Sequence, residues 1–235
     1  MDKNDALTDS LENNKTLKNY NCWIYENIKP ALGKNIIEIG CGLGAIIDFM
    51  ITKRNKITGV DISDEYIKYL KKNYKKYRNI KIIKSNILNL PGKVKNNSFD
   101  TVVMINVLEH IKDDDRAIKI VKKVLKKNGK LALMVPAFNI LFGPLDKNVG
   151  HYRRYNKKML KNLLIKNNFE IENIYYMNFV GFFGWLLNVK ILRRNYTPKN
   201  QSFLFDKFIV PILKWIERWI KPPVGQSLIV IAKKK

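Results

Sequence analysis

The sequence predicts an α/β protein built on a doubly wound, largely parallel sheet. Three observations carry that expectation. Short β-branched runs alternate with amphipathic helical stretches from 36 to 135, the pattern of parallel strands joined by right-handed crossovers. The first run, Ile36-Ile37-Glu38-Ile39, leads into three glycines at the mouth of a helix, Gly40, Gly42 and Gly44. The second, Lys56-Ile57-Thr58-Gly59-Val60-Asp61, ends in an acid. Open sheets of this kind bind ligands beyond the carboxyl ends of their strands, where both features stand.

Composition bounds the rest. The chain has 235 residues, 46% of them hydrophobic, enough for one large domain or one domain with an appendage. Lys and Arg number 44 against 20 Asp and Glu, a net charge of +24. Such an excess suits nucleic acid, an anionic membrane or an acidic substrate. It equally suits a solvated surface, because the chain is loaded with Lys, Asn and Ile as an AT-rich genome would give, and its lysines are spread out. The two cysteines, Cys22 and Cys41, argue against a disulfide framework. Neither belongs to a metal-spaced cluster, and the two histidines lie far apart, so no metal is expected. The polar start, Met1-Asp2-Lys3-Asn4-Asp5, has no apolar core of a secretory signal. No run reaches the ~18 apolar residues of a membrane span. A reducing cytoplasm is the expected compartment, with residence at the inner face of the membrane as a variant.

Residues 1–15 are polar and read as disordered or loosely helical. A helix is expected over 17–28, where Leu17, Tyr20, Trp23, Ile24 and Ile28 share a face, and Pro30 stops it. Residues 1–30 thus form an N-terminal helical cap. The strand at 36–39 is buried on both faces by its isoleucines. Glycines at 40, 42 and 44 let the backbone turn sharply and let a ligand approach it, and 45–50 continues as a helix.

The run Glu38-x-Gly40-x-Gly42-x-Gly44 resembles motif I of the class I S-adenosylmethionine-dependent methyltransferases. A tight turn without ligand is the other reading. The resemblance implies S-adenosyl-L-methionine as cofactor and S-adenosyl-L-homocysteine as product, held at Glu38, Gly40, Cys41, Gly42 and Gly44. It also implies a helix beside the cofactor, from which Tyr20 closes over it or packs into the core.

Asp61 lies near the ~20-residue offset at which a strand-end carboxylate binds ribose hydroxyls. A carboxylate only accepts, so it takes both hydroxyl protons. Alternatively Asp61 or Ser63 caps the helix that follows, expected over 65–77. The third strand is expected at 80–83. Asn86 stands where the family commonly has an acid for the adenine amino group, and its carbonyl can still accept there. The resemblance adds Ile62, Ile87, Asn106 and Val107 to the cofactor's contacts.

Ser98-Phe99-Asp100 opens the fourth strand, and Asn106-Val107-Leu108-Glu109-His110 closes it. This run resembles the small-molecule, type 11/12-like branch of the same family. That implies a Rossmann-like sheet of about seven strands, the last antiparallel. No Asn/Asp-Pro-Pro-Tyr/Phe motif and no Pro-Cys nucleophile appears, which argues against methylation of nucleic-acid bases. A helix over 116–127 is expected to end at Asn128-Gly129, and the fifth strand runs 130–136.

The stretch 137–155 loses periodicity and crowds Asp146, His151, Tyr152, Arg153, Arg154 and Tyr155 into one loop. Similar loops occur in a subset of these enzymes. His151, or His110, is the candidate base, because imidazole titrates near neutrality. Tyr152, Arg153, Arg154 and Tyr155 are candidate acceptor contacts, the arginines gripping a carboxylate or phosphate. Alternatively the arginines pair with Asp146 and order the loop. A helix over 157–167 and a strand over 169–176 complete a core of 31–177.

The last strand is expected at 227–232, within a terminal segment 227–235. Between lies an insertion, 178–226, far longer than the usual ~2–5-residue hairpin loop. It is aromatic and basic, and Pro211 is expected to divide it into two helices. An apolar face with a basic counter-face suits peripheral contact with an anionic membrane through 179–221, a lid, or a subunit interface. The expected function is methyl transfer to an O or N atom of a small, sugar-like or lipid-linked acceptor, anionic if the arginines grip it. An RNA acceptor, motivated by the charge, and a non-catalytic binding protein are the alternatives.

Overall fold

The computed structural model describes residues 15–192 and 199–235. Its centre is one seven-stranded sheet in the order β3-β2-β1-β4-β5-β7-β6. The strands are β1 (Asn35–Ile39), β2 (Lys56–Asp61), β3 (Ile80–Lys84), β4 (Phe99–Ile105), β5 (Leu125–Pro136), β6 (Phe169–Met177) and β7 (Ser227–Lys234). Adjacent strands from β3 to β5 pair in parallel, and β7 runs antiparallel to both neighbours. The direction of winding reverses between β1 and β4, which opens a crevice above the carboxyl end of β1.

Successive strand residues point to opposite faces, and the core divides accordingly. Ile37, Ile39, Val102, Met104, Leu131 and Leu133 fill one face. Ile36, Ile57, Val103, Ala132, Met134 and Ile229 fill the other. Helix α1 (Lys18–Ile28), helix α2 (Ile47–Met50) and helix α3 (Asp64–Asn73) bury Trp23, Ile24, Ile28, Ile47, Met50 and Leu70 against the second face. Helix α4 (Asp114–Val124) covers the first with Ile118, Val121 and Val124. Helix α5 (Pro144–Asn148) lies in the loop after β5, and helix α6 (Lys157–Lys166) precedes β6.

Two helices end earlier than their periodicity suggests. α3 stops at Asn73 because Tyr74 turns inward, its hydroxyl donating to the Gly44 carbonyl at 3.2 Å. α4 stops at Val124 because Leu125 is buried and pairs with Phe99 as the first residue of β5. The Asn128-Gly129 turn then becomes an irregularity inside β5, with Asn128 at φ 63°.

The insertion between β6 and β7 is helical: α7 (Phe179–Trp185), a wide-turned stretch Leu186–Ile191, α8 (Lys199–Leu204), a second wide stretch Phe205–Ile209, and α9 (Val210–Trp219). Pro211 does not break the coil. It sits in the first turn of α9, and Val210 donates five residues back to the Phe205 carbonyl. A wide turn there accommodates a ring that would otherwise meet the preceding turn. Arg193 and Arg194 lie outside the described residues. No helix among the described residues is long and apolar enough to cross a membrane.

Two buried acids of the insertion face inward and serve as remote caps. The Asp206 carboxylate accepts the backbone N–H groups of Asn19 (3.3 Å) and Tyr20 (2.7 Å), in the first turn of α1. That of Glu217 accepts those of Asn178 (3.0 Å) and Phe179 (2.9 Å), at the start of α7. Both helix starts thereby satisfy donors their own turns cannot.

Candidate active site

The glycine turn caps β1 at the crevice. Gly40, Gly42 and Gly44 hold φ of 70°, 51° and 80°, the left-handed region. A Cβ on Gly40 would come within 2.4 Å of Val107 Cγ2. That contact brings the loop after β4 directly against the turn. The Gly40 and Cys41 N–H groups donate to the Val60 carbonyl at 2.8 and 3.1 Å. Asp61 is buried, with one carboxylate oxygen accepting from Gly42 N–H at 2.8 Å and the other from Ser63 N–H at 3.0 Å. Ser63 caps α3, its side chain accepting from Tyr66 N–H. The capping role therefore falls to Ser63, and each Asp61 oxygen keeps a second lone pair.

Glu38 is buried beside the turn, and its Oε2 has no hydrogen-bond partner among the described residues. Burial, and then the charges of Asp61 and Asp48, raise its pKa well above the usual carboxylate range. A cation placed between Glu38 and Asp61 would relieve both effects, so the turn fits a positively charged ligand such as a sulfonium with an ammonium group. Burial, then the same acids, pushes the Cys41 thiol up as well, which keeps it protonated and unreactive.

Ile62, Ser85 and Asn86 line an open depression beyond β2 and β3. Ile62 is exposed there, while Ile87 is buried beneath. Asn86 accepts the Leu88 N–H through Oδ1 at 2.9 Å, so the carbonyl expected at an adenine amino group is partly spent on a local cap. Asn106 ends β4 at φ 52°, exposed, with its N–H on the Met134 carbonyl. Tyr20 turns its hydroxyl toward Ser227 Oγ at 3.4 Å and sets its ring edge-on to Trp23. Burial raises its pKa. Its observed contacts are those of a packing residue.

The loop after β5 is pinned at both ends. The Tyr155 N–H donates to the Pro136 carbonyl at 2.9 Å, and the Tyr155 carbonyl accepts from Phe138 N–H at 2.8 Å. At its centre Asp146 is fully buried and accepts from Gly143 N–H (3.0 Å), Arg154 Nε (2.8 Å) and the Nδ1 side of His151 (2.8 Å). Burial alone would raise the Asp146 pKa, but the His151 hydrogen bond and the Arg154 charge outweigh it and hold it below the usual range. An ionised Asp146 can only accept, so Nδ1 of His151 donates to it and Nε2 is the ring nitrogen left free of Asp146.

Arg154 is buried, with its guanidinium 4.6 Å from the Trp185 ring of α7. It therefore orders the loop, as a buried guanidinium must be paired. Arg153 pairs with Asp114 at 2.6 Å and donates to the Lys112 carbonyl. Tyr155 is buried and donates to Asp114 at 2.9 Å. Arg154, expected either on an acceptor or on Asp146, is buried on Asp146, and Tyr155, expected on an acceptor, is buried on Asp114. Of the four, Tyr152 is the one that stands exposed.

The fold brings together what the sequence keeps apart. The rings of His110 and His151 meet edge to face with centroids 4.5 Å apart. His151 Nε2 lies 3.8 Å from Glu109 Oε1. Glu109 is fully buried, and neither of its oxygens has a partner among the described residues. Burial lifts its pKa to about 8, opposed by its own backbone N–H and then by Arg154, and aided by Asp146. Burial, then the His151 neighbour, lowers His110 to about 4, against hydrogen bonds to the Gly150 and Val149 backbone. His110 is therefore a neutral imidazole. Sequence reasoning gives Glu109 no role, whereas it offers Asp146 as a partner for the arginines, and Arg154 takes it. The available signal was that Glu109-His110 and the His151 loop follow the carboxyl ends of two strands, β4 and β5, that prove adjacent.

Residues 37–133 match the model of the family described as "Methyltransferase domain". A Mycobacterium tuberculosis protein named "probable S-adenosylmethionine-dependent methyltransferase" is 27% identical over 150 residues, 62% of this chain and 53% of that protein. A ubiquinone biosynthesis O-methyltransferase of Idiomarina loihiensis is 30% identical over 118 residues, 50% of this chain and 44% of its own. The chain thus spans about half the length of the curated relatives it matches. Among solved structures, a SAM-dependent methyltransferase of Archaeoglobus fulgidus superposes with a TM-score of 0.59 at 15% identity, covering 91% of this chain and 94% of that one.

Proposed function

We propose, from the premise that residues 37–133 carry a class I S-adenosylmethionine-dependent methyltransferase domain, that this protein methylates a hydroxyl oxygen of a small acceptor presented at an anionic membrane surface. The observation that carries methyl transfer is the left-handed glycine turn against Val107, with Asp61 on the Gly42 N–H, next to an imidazole backed by a carboxylate. S-adenosylmethionine, when bound, supplies an electrophilic methyl group on a sulfonium.

The chain supplies position and charge. Gly40, Gly42 and Gly44 leave room for the donor against bare backbone. Asp61 offers its remaining lone pairs to ribose hydroxyls, and Ile62 offers an exposed apolar face beside Asn86. Glu38 and Asp61 favour a cation near them. On the acceptor side Asp146 fixes the His151 ring, so the lone pair on Nε2 is the basic group offered to a hydroxyl. A neutral amine would need no such group, which favours oxygen as the target.

The insertion favours a membrane-bound acceptor. Between 199 and 221 its two acids, Asp206 and Glu217, are buried, whereas Phe208, Trp215, Trp219 and Ile220 are exposed. Lys207 stands over Phe208 at 5.3 Å and Arg218 over Trp219 at 5.7 Å. An outward face of tryptophans ringed by cations suits an anionic interface.

Calorimetric titration with S-adenosylmethionine tests the reading. The wild-type chain binds it, and Asp61→Ala weakens binding by roughly 10–100-fold, the loss of about 1.5–3 kcal/mol from charge-assisted hydrogen bonds. No heat of binding with the wild-type chain overturns the reading.

A further inference from the structure

We infer that Glu109, His110 and His151 form a binding site for a divalent transition-metal ion, placed beside the glycine turn. Each residue offers one ligand atom, and these atoms lie within 4.8 Å of one another. The second observation is Glu109 itself. A fully buried carboxylate with neither oxygen hydrogen-bonded is costly, and native interiors rarely leave such a group unanswered. A cation between the two rings and this carboxylate would give it the partner it lacks.

The surroundings are built as metal sites are built. Ligating histidines almost always give their second nitrogen to a carboxylate or a carbonyl, which fixes ring and tautomer. His151 has Asp146 on Nδ1 at 2.8 Å, and Asp146 is itself held by Arg154 and the Gly143 N–H. His110 is hydrogen-bonded to the backbone at Val149 and Gly150. His151 turns Nε2 to within 3.8 Å of Glu109 Oε1, and one ring nitrogen of His110 lies within 4.8 Å of the other two ligand atoms.

The donor set selects the ion. Two imidazoles and one carboxylate suit zinc, manganese, iron, cobalt or nickel, whereas calcium and magnesium prefer oxygen ligands. Three protein ligands leave coordination positions open, as in catalytic rather than structural sites. No spacing in the chain announces this site, since its ligands come from two loops that meet only through the pairing of β4 with β5.

Metal binding stands without the methyl-transfer reading, but its use rests on that reading. An ion held by Glu109, His110 and His151 would leave a position for the acceptor hydroxyl and would make its proton easier to lose to water. The oxygen lone pair then forms the new O–C bond. The C–S bond breaks, and its electron pair returns to sulfur as the sulfonium becomes a neutral thioether. With its Nε2 lone pair on the ion, His151 would position the hydroxyl through the metal rather than take its proton directly.

The test uses the full chain, stripped with a chelator and titrated with Co²⁺ followed by visible absorption, then with Zn²⁺ in competition. One equivalent of Co²⁺ with ligand-field bands, displaced by Zn²⁺ and unaffected by excess Mg²⁺, is expected. Glu109→Gln keeps the shape and removes the charge. It should weaken Co²⁺ by at least the ~10–100-fold seen for lesser, outer-sphere changes, with S-adenosylmethionine affinity unchanged as the check on folding. His110→Ala should act likewise. No saturable Co²⁺ binding, or the same binding in Glu109→Gln, overturns the site. Loss of the metal claim with S-adenosylmethionine still bound leaves the functional reading intact. Metal binding without any S-adenosylmethionine binding does the reverse.

Discussion

Asp146 is the residue on which the loop after β5 depends. It is fully buried and answers three donors at once: a backbone N–H, a guanidinium and an imidazole. Asp146→Ala would leave Arg154 as an unpaired buried charge, which costs about 3–5 kcal/mol. Urea unfolding should show a loss of that order, and a smaller one for Asp146→Asn, which keeps an acceptor oxygen. The pairing of an arginine with Asp146 is legible in the sequence as one of two readings, but its burial and its hold on His151 are not. The glycines and Asp61 announce themselves by spacing, because a sharp turn and a strand-end acid are local requirements. Arg154 and Glu109 do not, because whether a charged side chain faces a ligand or lies buried is decided by elements far along the chain. His110 and His151 were singled out as bases for their chemistry, but that they touch is a fact of strand order alone.

The insertion shows what periodicity can and cannot say about an element. Its helical character and its aromatic face were legible from the recurrence of Phe205, Phe208, Ile212, Leu213, Ile216 and Trp219. The continuity of the coil through Pro211 was not, since wide turns leave no pattern in the sequence. Nor was the destination of Asp206, which looks like one more polar residue on an exposed helix. It reaches instead to the first turn of α1, whose own cap position, Leu17, has no side-chain hydrogen bond to give. Asp206→Ala should therefore destabilise the chain by about 0.5–2 kcal/mol, the usual worth of a lost N-cap. Amide hydrogen exchange should rise at Asn19 and Tyr20 first. The short α4 has a similar cause: its periodicity runs on, but Leu125 gains more from pairing with Phe99 than from another turn.

Taken together, the sheet was the most legible part, because alternation of β-branched runs and helices follows from burying parallel strands on both faces. The overall charge of +24 is less decisive than its arrangement. In the insertion the acids turn inward and the exposed aromatics keep company with cations, so the two attractions of an anionic interface act on one face. Co-sedimentation should show the protein on vesicles containing phosphatidylglycerol and not on pure phosphatidylcholine. The Trp215→Ser, Trp219→Ser double variant should lose most of that binding, and raised salt should weaken it for the wild type. Equal sedimentation of the double variant would assign the patch another partner.

Strand β7 carries one more consequence. It is the farthest of the strands along the chain, yet it lies between β5 and β6. During synthesis β6 therefore emerges with no neighbour to hold it, and the oily helices within 179–191 and 199–219 follow while the sheet still has an open edge. Completion waits on the eight residues Ser227–Lys234 clearing the ribosome. Until then the nascent chain exposes both a raw strand border and its greasiest segment, an interval in which a chaperone or a nearby bilayer has first claim on it.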